Sequence, residues 1–227
     1  MPADTVISAR DLEVGYGYPV CAPVTFTLRR GECLAVVGLN GTGKSTLLRT
    51  VLGMLPAISG TSRLFGARPD PRSRAQRAAV SHDLGDEVFF PGLSAAEHLE
   101  LTALGHGEAD PAATAAALLE ELGLEERARA VPAALSSGQR RRLLLASALA
   151  RPRELLVLDE PESRLDTSAR TRIAERLTRE RETGGTVLFA SHDPAVVRLA
   201  ATRVLVIAED GIDILGPDEG ADAVAAL

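Results

Sequence analysis

Long apolar runs are missing from this 227-residue chain. No stretch approaches the roughly eighteen consecutive apolar residues that a membrane-spanning helix needs. The start, Met1-Pro2-Ala3-Asp4, has no basic segment leading into an apolar one. Any work at a membrane therefore requires a partner. Positive charge is also short, since 25 Lys and Arg against 31 Asp and Glu leave a net charge of −6, and no basic patch with interleaved aromatics occurs. That excludes a global attraction to nucleic acid, and no nucleic-acid partner is expected. Cysteine is scarce. Cys21 and Cys33 lie twelve residues apart, without a Cys-x-x-Cys pair or a histidine cluster, which argues against a zinc site or a disulfide framework and for two reduced core thiols in the cytosol.

Lysine is the scarcest of the charged residues. Of the 25 basic side chains 24 are arginine, and the one lysine, Lys44, falls inside Gly38-Leu39-Asn40-Gly41-Thr42-Gly43-Lys44-Ser45-Thr46. Arginine is a wide planar fork, whereas lysine is a compact ammonium on a flexible stem that can enter a backbone cradle as a point charge. The glycines let successive N–H groups, from Gly41 to Thr46, turn toward phosphate oxygens. The helix expected from Lys44 onward adds its positive end. Asn40, Gly41, Thr42, Gly43, Lys44, Ser45 and Thr46 are thus the candidate nucleotide-binding residues, with Lys44 on the β- and γ-phosphates and the Ser45 hydroxyl on Mg²⁺.

The flanking pattern suits that motif. Residues 6–14, 20–28 and 33–37 read as strands, the last wholly apolar as in a sheet covered on both faces, and 44–55 reads as a helix stopped by Pro56. From 83 to 150 the chain turns Ala- and Leu-rich, with helical spacing over 95–104, 112–122 and 139–150. Strands over 154–158 and 186–190 bracket a helix over 167–181, and 203–208 and 212–215 close the fold. The expected class is α/β, one domain over 1–227 with a P-loop sheet core and an inserted, mostly helical subdomain at 83–150. Asp210, Asp213, Asp218, Glu219 and Asp222 read as a surface strand and a frayed acidic tail.

A second signal is Leu155-Leu156-Val157-Leu158-Asp159-Glu160, an apolar strand ending in two carboxylates. Neighbours on a strand point to opposite sides, so Asp159 suits Mg²⁺ and Glu160 suits an attacking water. Leu135-Ser136-Ser137-Gly138-Gln139 then stands before a long helix, twenty residues ahead of the Asp159 strand end.

With these motifs the chain resembles the ATP-binding subunit of ABC transporters over nearly its whole length. The family's order is present: Tyr16, the phosphate loop, Leu135 to Gln139, Asp159-Glu160-Pro161, Ser163-Arg164-Leu165-Asp166, and His192 after a strand. The resemblance implies ATP and Mg²⁺ sandwiched between two such subunits, either two copies or two related chains, which drive transmembrane permease subunits from the cytoplasmic face of the membrane. It implies that Tyr16 stacks on adenine, with Tyr18 as the competing candidate, and that Ser136, Gly138 and Gln139 close on the partner's nucleotide. Lys44, Glu160 and His192 would be the catalytic residues. Two other readings stay open: a soluble ATPase of this type acting on nucleic acid or the ribosome, and a weakly hydrolysing nucleotide-binding regulatory subunit. The transported substrate and its direction stay open as well.

Departures from the family pattern matter too. Val80-Ser81-His82-Asp83 puts His82 where the family expects a glutamine touching Mg²⁺ or water. In that place His82 would serve as a nucleotide and metal contact, and its protonation would make activity fall below about pH 6.5. Glu162 and Arg164 are unusual for the family and carry no assigned role. Arg140-Arg141-Arg142 reads as a solvated helix face, and His98 and His106 as helix or loop surface.

Overall fold

The computed structural model describes residues 4–86, 88–208 and 211–226, so Met1 to Ala3 and Asp210 lie outside the described residues. The first half of the chain runs β1 (Thr5–Glu13), β2 (Val24–Arg29), β3 (Cys33–Gly38), α1 (Lys44–Val51), β4 (Ser59–Leu64), α2 (Arg74–Ala79) and β5 (Val80–Asp83). It continues through α3 (Ala95–Gly105), α4 (Pro111–Glu121), α5 (Ser137–Leu149), β6 (Leu155–Asp159), α6 (Thr167–Glu182), β7 (Thr186–Ala190), α7 (Pro194–Ala200), β8 (Arg203–Ala208), β9 (Gly211–Leu215) and α8 (Pro217–Ala226).

Two sheets form. One is antiparallel, in the order β2-β1-β4; the other has six strands in the order β5-β6-β7-β3-β8-β9, parallel except for β9. Every residue of β3 and β7 is buried, which is why both read as continuous apolar runs. Helix α1 fills the space between the sheets: its Leu47, Leu48 and Val51 share one core with Leu12 and Leu28 of the small sheet and Leu34, Val157 and Leu188 of the large one. The opposite face of the large sheet carries a second core, in which Leu99, Leu118 and Leu143 of α3 to α5 pack with Val37 and Phe189. Alternation along each strand divides its side chains between the two cores.

The strand expected at 20–28 begins only at Val24, because Pro23 lacks the N–H a ladder needs and residues 20–23 turn toward the phosphate loop. The acidic tail is not frayed. Helix α8 buries Gly220, Ala221 and Val224 against α7 and β8, and a Cβ at Gly220 would stand 2.4 Å from Val204 Cβ, so small residues let the helix close on the sheet.

His98 corrects another expectation, since it is 5 % exposed and its ring meets those of Phe89 and Phe90 at 5.7 and 5.6 Å. His106 is exposed, as expected. Burial pushes the His98 pKa below its usual value, and its Nδ1 has no hydrogen-bond partner. The unfolded chain therefore takes up this proton at a higher pH than the folded one. The stabilisation is full above about pH 6.5 and is lost as pH falls toward the lower folded value. Urea midpoints are expected to drop between about pH 7 and 5.5, and His98→Leu should flatten that slope. An unchanged slope in the variant would refute the assignment.

Candidate functional site

Three adjacent strands, β6, β7 and β3, run parallel and end at one edge of the sheet. The loops after them carry Glu160, His192 and the phosphate loop. In the phosphate loop Gly43 precedes α1 with φ 93°, and a Cβ there would come within 2.6 Å of Val20 Cγ2. A side chain at 43 would meet both a backbone penalty and a clash. The same contact sets the turn bearing Tyr16 and Tyr18 beside the phosphate loop; the two rings are 62 % and 70 % exposed. Lys44 is 5 % exposed, and its ammonium donates to Gly38 O at 2.9 Å and Leu39 O at 3.1 Å.

Asp159 ends β6 beside Ser45 and Lys44. Burial raises its pKa, a hydrogen bond from Ser45 opposes that, Glu160 adds to it, and Lys44 and Arg49 oppose it. Its Oδ1 is buried without a hydrogen-bond partner. A buried orphan carboxylate oxygen next to a hydroxyl fits Mg²⁺, which takes oxygen ligands, keeps several waters and needs only one or two carboxylates beside substrate phosphates. Among the described residues no group of three or more His, Cys, Asp or Glu is placed to hold a metal by itself. Ser45 and Asp159 would thus hold the ion jointly with the nucleotide.

Glu160 takes the left-handed backbone conformation, φ 45°, which is rare for a residue with a side chain. Its N–H donates to Ala190 O at 3.0 Å, tying the end of β6 to that of β7. His192 Nδ1 lies 3.8 Å from Glu160 Oε2. Gly38, Leu39, Asn40, Glu160, Ser191 and His192 line a cavity of about 220 Å³.

Ser136, Gly138 and Gln139 do not line that cavity. They form the start of α5, where Ser136 Oγ accepts from Gln139 N at 3.3 Å and Gln139 Oε1 accepts from Ser136 N at 2.9 Å, a reciprocal cap. A Cβ on Gly138 would stand 3.0 Å from Arg164 O, so the helix start and the 163–166 loop touch closely. The cap leaves Ser136 exposed on a surface bearing the positive end of α5.

Residues 21–163 match the family model described as ABC transporter. The chain belongs to the ABC transporter family. It is 36% identical over 206 residues to the uncharacterized ABC transporter ATP-binding protein YbbA of Escherichia coli K12, covering 85% of this chain and 90% of that one. It is 30% identical over 219 residues to the linearmycin resistance ATP-binding protein LnrL of Bacillus subtilis, covering 93% of this chain and 69% of that one. A solved structure of the ATP-binding subunit of an ABC transporter superposes with a TM-score of 0.82 at 27% identity, covering 95% of this chain and 91% of the other. The expected fold class and the ABC-type resemblance are borne out.

Within this ABC ATPase, His82 is not where the glutamine role requires it. The parallel register sets His82 beside Val157, two residues short of Asp159, and its ring lines a different groove with Leu52, Met54, Arg77, His106 and Arg151. Desolvation there and the nearby Arg151 lower its pKa, against the pull of Asp83 and Asp86. An activity loss at about pH 6.5 therefore no longer follows from His82.

Arginine 141 is the larger correction. It is 6 % exposed rather than solvated: Nη1 donates to Asp83 Oδ2 at 2.6 Å, and Nη2 donates to Asp159 O at 2.9 Å and Glu160 O at 3.0 Å. Arg142 also turns inward, donating to Leu122 O and Gly123 O at 2.9 Å each. Neither role was legible locally, because three consecutive arginines look alike while the helix turns each by about 100°. Glu162, left without a role, is fully buried beneath His192.

Proposed function

We propose that this ABC ATPase hydrolyses ATP at the interface of two such subunits and powers transport through separate membrane-spanning chains. The observation that carries the reading is the convergence of Lys44, Ser45, Asp159, Glu160 and His192 at the ends of three neighbouring strands. The chemistry divides among them. Backbone N–H groups of the phosphate loop and the start of α1 bind the phosphates, and Lys44 neutralises charge on the terminal ones. Ser45 and Asp159 would hold Mg²⁺, which would supply charge neutralisation at the transferred phosphoryl group. Glu160 orients the attacking water and accepts its proton, and His192 fixes that water against the terminal phosphate. Tyr16 offers its exposed ring to the adenine. The exposed, capped start of α5, with Ser136, Gly138 and Gln139, faces the nucleotide held by the opposite subunit.

Among the described residues no helix is long and apolar enough to cross a membrane, so the permease function is assigned to other chains. The names of YbbA and LnrL, both ATP-binding proteins, support that assignment. Co-purification in mild detergent tests it: a membrane-spanning protein should come down with the chain and stimulate its ATPase. Lys44→Arg, in the same complex, should lower turnover by about 10²-fold or more, because the wider guanidinium cannot enter the cradle that Gly38 O and Leu39 O form around the ammonium. Turnover near wild type in that variant would remove Lys44 from the site.

A further inference from the structure

Glu162 is the one carboxylate among the described residues with no exposure at all. Its Oε1 accepts from Ser191 Oγ at 2.6 Å and from His192 N at 3.1 Å, while Oε2 is buried with no hydrogen-bond partner. The turn that carries it is closed at both ends, by Ser163 N on Glu160 O and Leu165 N on Glu162 O. A glutamine or a hydroxyl could accept the same two hydrogen bonds without placing an orphan acidic oxygen in the interior, which is costly. What an acid adds there is negative charge, and the ring of His192 is the group that feels it: Nδ1 lies 3.6 Å from Glu162 Oε1, the oxygen that already accepts from Ser191 and His192 N, and 3.8 Å from Glu160 Oε2, both ion-pair rather than hydrogen-bond distances. Both acids flank one edge of the imidazole. The ring itself is half exposed, and this edge is the one the two acids face.

We propose that Glu162 is a positioning residue for His192: it anchors the loop at Ser191 and keeps the ring proton on Nδ1, so that Nε2 is left as the acceptor for the attacking water. The arrangement is the general one in which a carboxylate behind a histidine selects tautomer and orientation for the nitrogen in front. It differs from a charge-relay role, because no proton leaves Nδ1 during turnover. The inference rests on the hydrolytic reading above and adds to it a residue that touches neither nucleotide nor water.

Two measurements test it, on the 227-residue chain with ATP and Mg²⁺. Glu162→Gln keeps size and the Oε1 acceptor and should fold. It is expected to lower kcat by about 5- to 20-fold while leaving KM and the equilibrium affinity for a non-hydrolysable ATP analogue within about twofold. The ¹⁵N spectrum of the His192 ring, which needs no turnover, should show Nδ1–H in the wild type and a mixture of tautomers in the variant. Glu162→Asp, which keeps the acid on a shorter arm, should retain the Nδ1–H form. A kcat within twofold of wild type for Glu162→Gln, or a His192 tautomer indifferent to it, would overturn the proposal. Should Glu160→Gln prove fully active instead, the hydrolytic reading fails, and the tautomer result still decides what Glu162 does.

Discussion

Glu160→Gln is expected to lower ATP turnover by about 10²- to 10⁴-fold while leaving ATP affinity nearly unchanged. Glutamine keeps the shape of the side chain and the backbone that holds it. The Glu160 N–H would still reach Ala190 O, Arg141 would still hold the carbonyl, and the left-handed turn would persist. What disappears is the oxygen to which we assign the water's proton. Because nucleotide binding survives and hydrolysis does not, the variant should accumulate as an ATP-bound dimer, visible by size exclusion as a shift that wild type shows only transiently. A variant within about tenfold of wild-type turnover would take Glu160 out of the general-base role.

The largest stability effect belongs to Arg141. Replacing it by methionine leaves Asp83 buried without a counter-ion, with the Gly85 N–H still donating to Oδ1 at 3.1 Å, and strips a donor from the carbonyls of Asp159 and Glu160. Breaking a buried pair from one side typically costs about 3–5 kcal/mol, because the remaining charge has neither solvent nor a counter-ion. The side chains are 7% and 5% exposed, so solvent screening does not discount the figure. Adding Asp83→Leu removes the stranded charge, and the double variant should regain at least about 1–2 kcal/mol over Arg141→Met in urea melts. It should not reach wild type, since the two carbonyls remain short of a donor. Equal stability of the single and double variants would show that the ion pair is not what Arg141 contributes. Activity should fall in both, because the same guanidinium fixes the backbone on either side of the Asp159–Glu160 junction.

Sequence and structure divide the protein along a physical line. The sequence by itself determined the local chemistry: the phosphate loop, the strand ending in Asp159 and Glu160, the Ser136 helix start and the order in which they come. Such motifs are legible because backbone conformation and charge impose residue types over a few consecutive positions. Most large-sheet strands were legible too, as apolar runs, and so were α3 to α6, by their spacing. Elements with little apolar content were not. β4 buries only Leu64, and α2 buries no residue, so no periodicity announced them. α8 hides its packing face in Gly220 and Ala221, which read as tail.

Only the tertiary structure decided which identical residues do different things. Arg140, Arg141 and Arg142 are indistinguishable in sequence, yet Arg141 is committed to Asp83, 58 residues away, and to the backbone at the Asp159–Glu160 end of β6. His82 and Asp83 are neighbours, but strand alternation sends one to an outer groove and the other to Arg141. Glu162 becomes intelligible only when β7 brings Ser191 and His192 over it, 29 and 30 residues along the chain. Desolvation and long-range pairing are properties of the packed molecule. No window of the sequence holds them, and they set the orientation of the groups whose identity the motifs had already given.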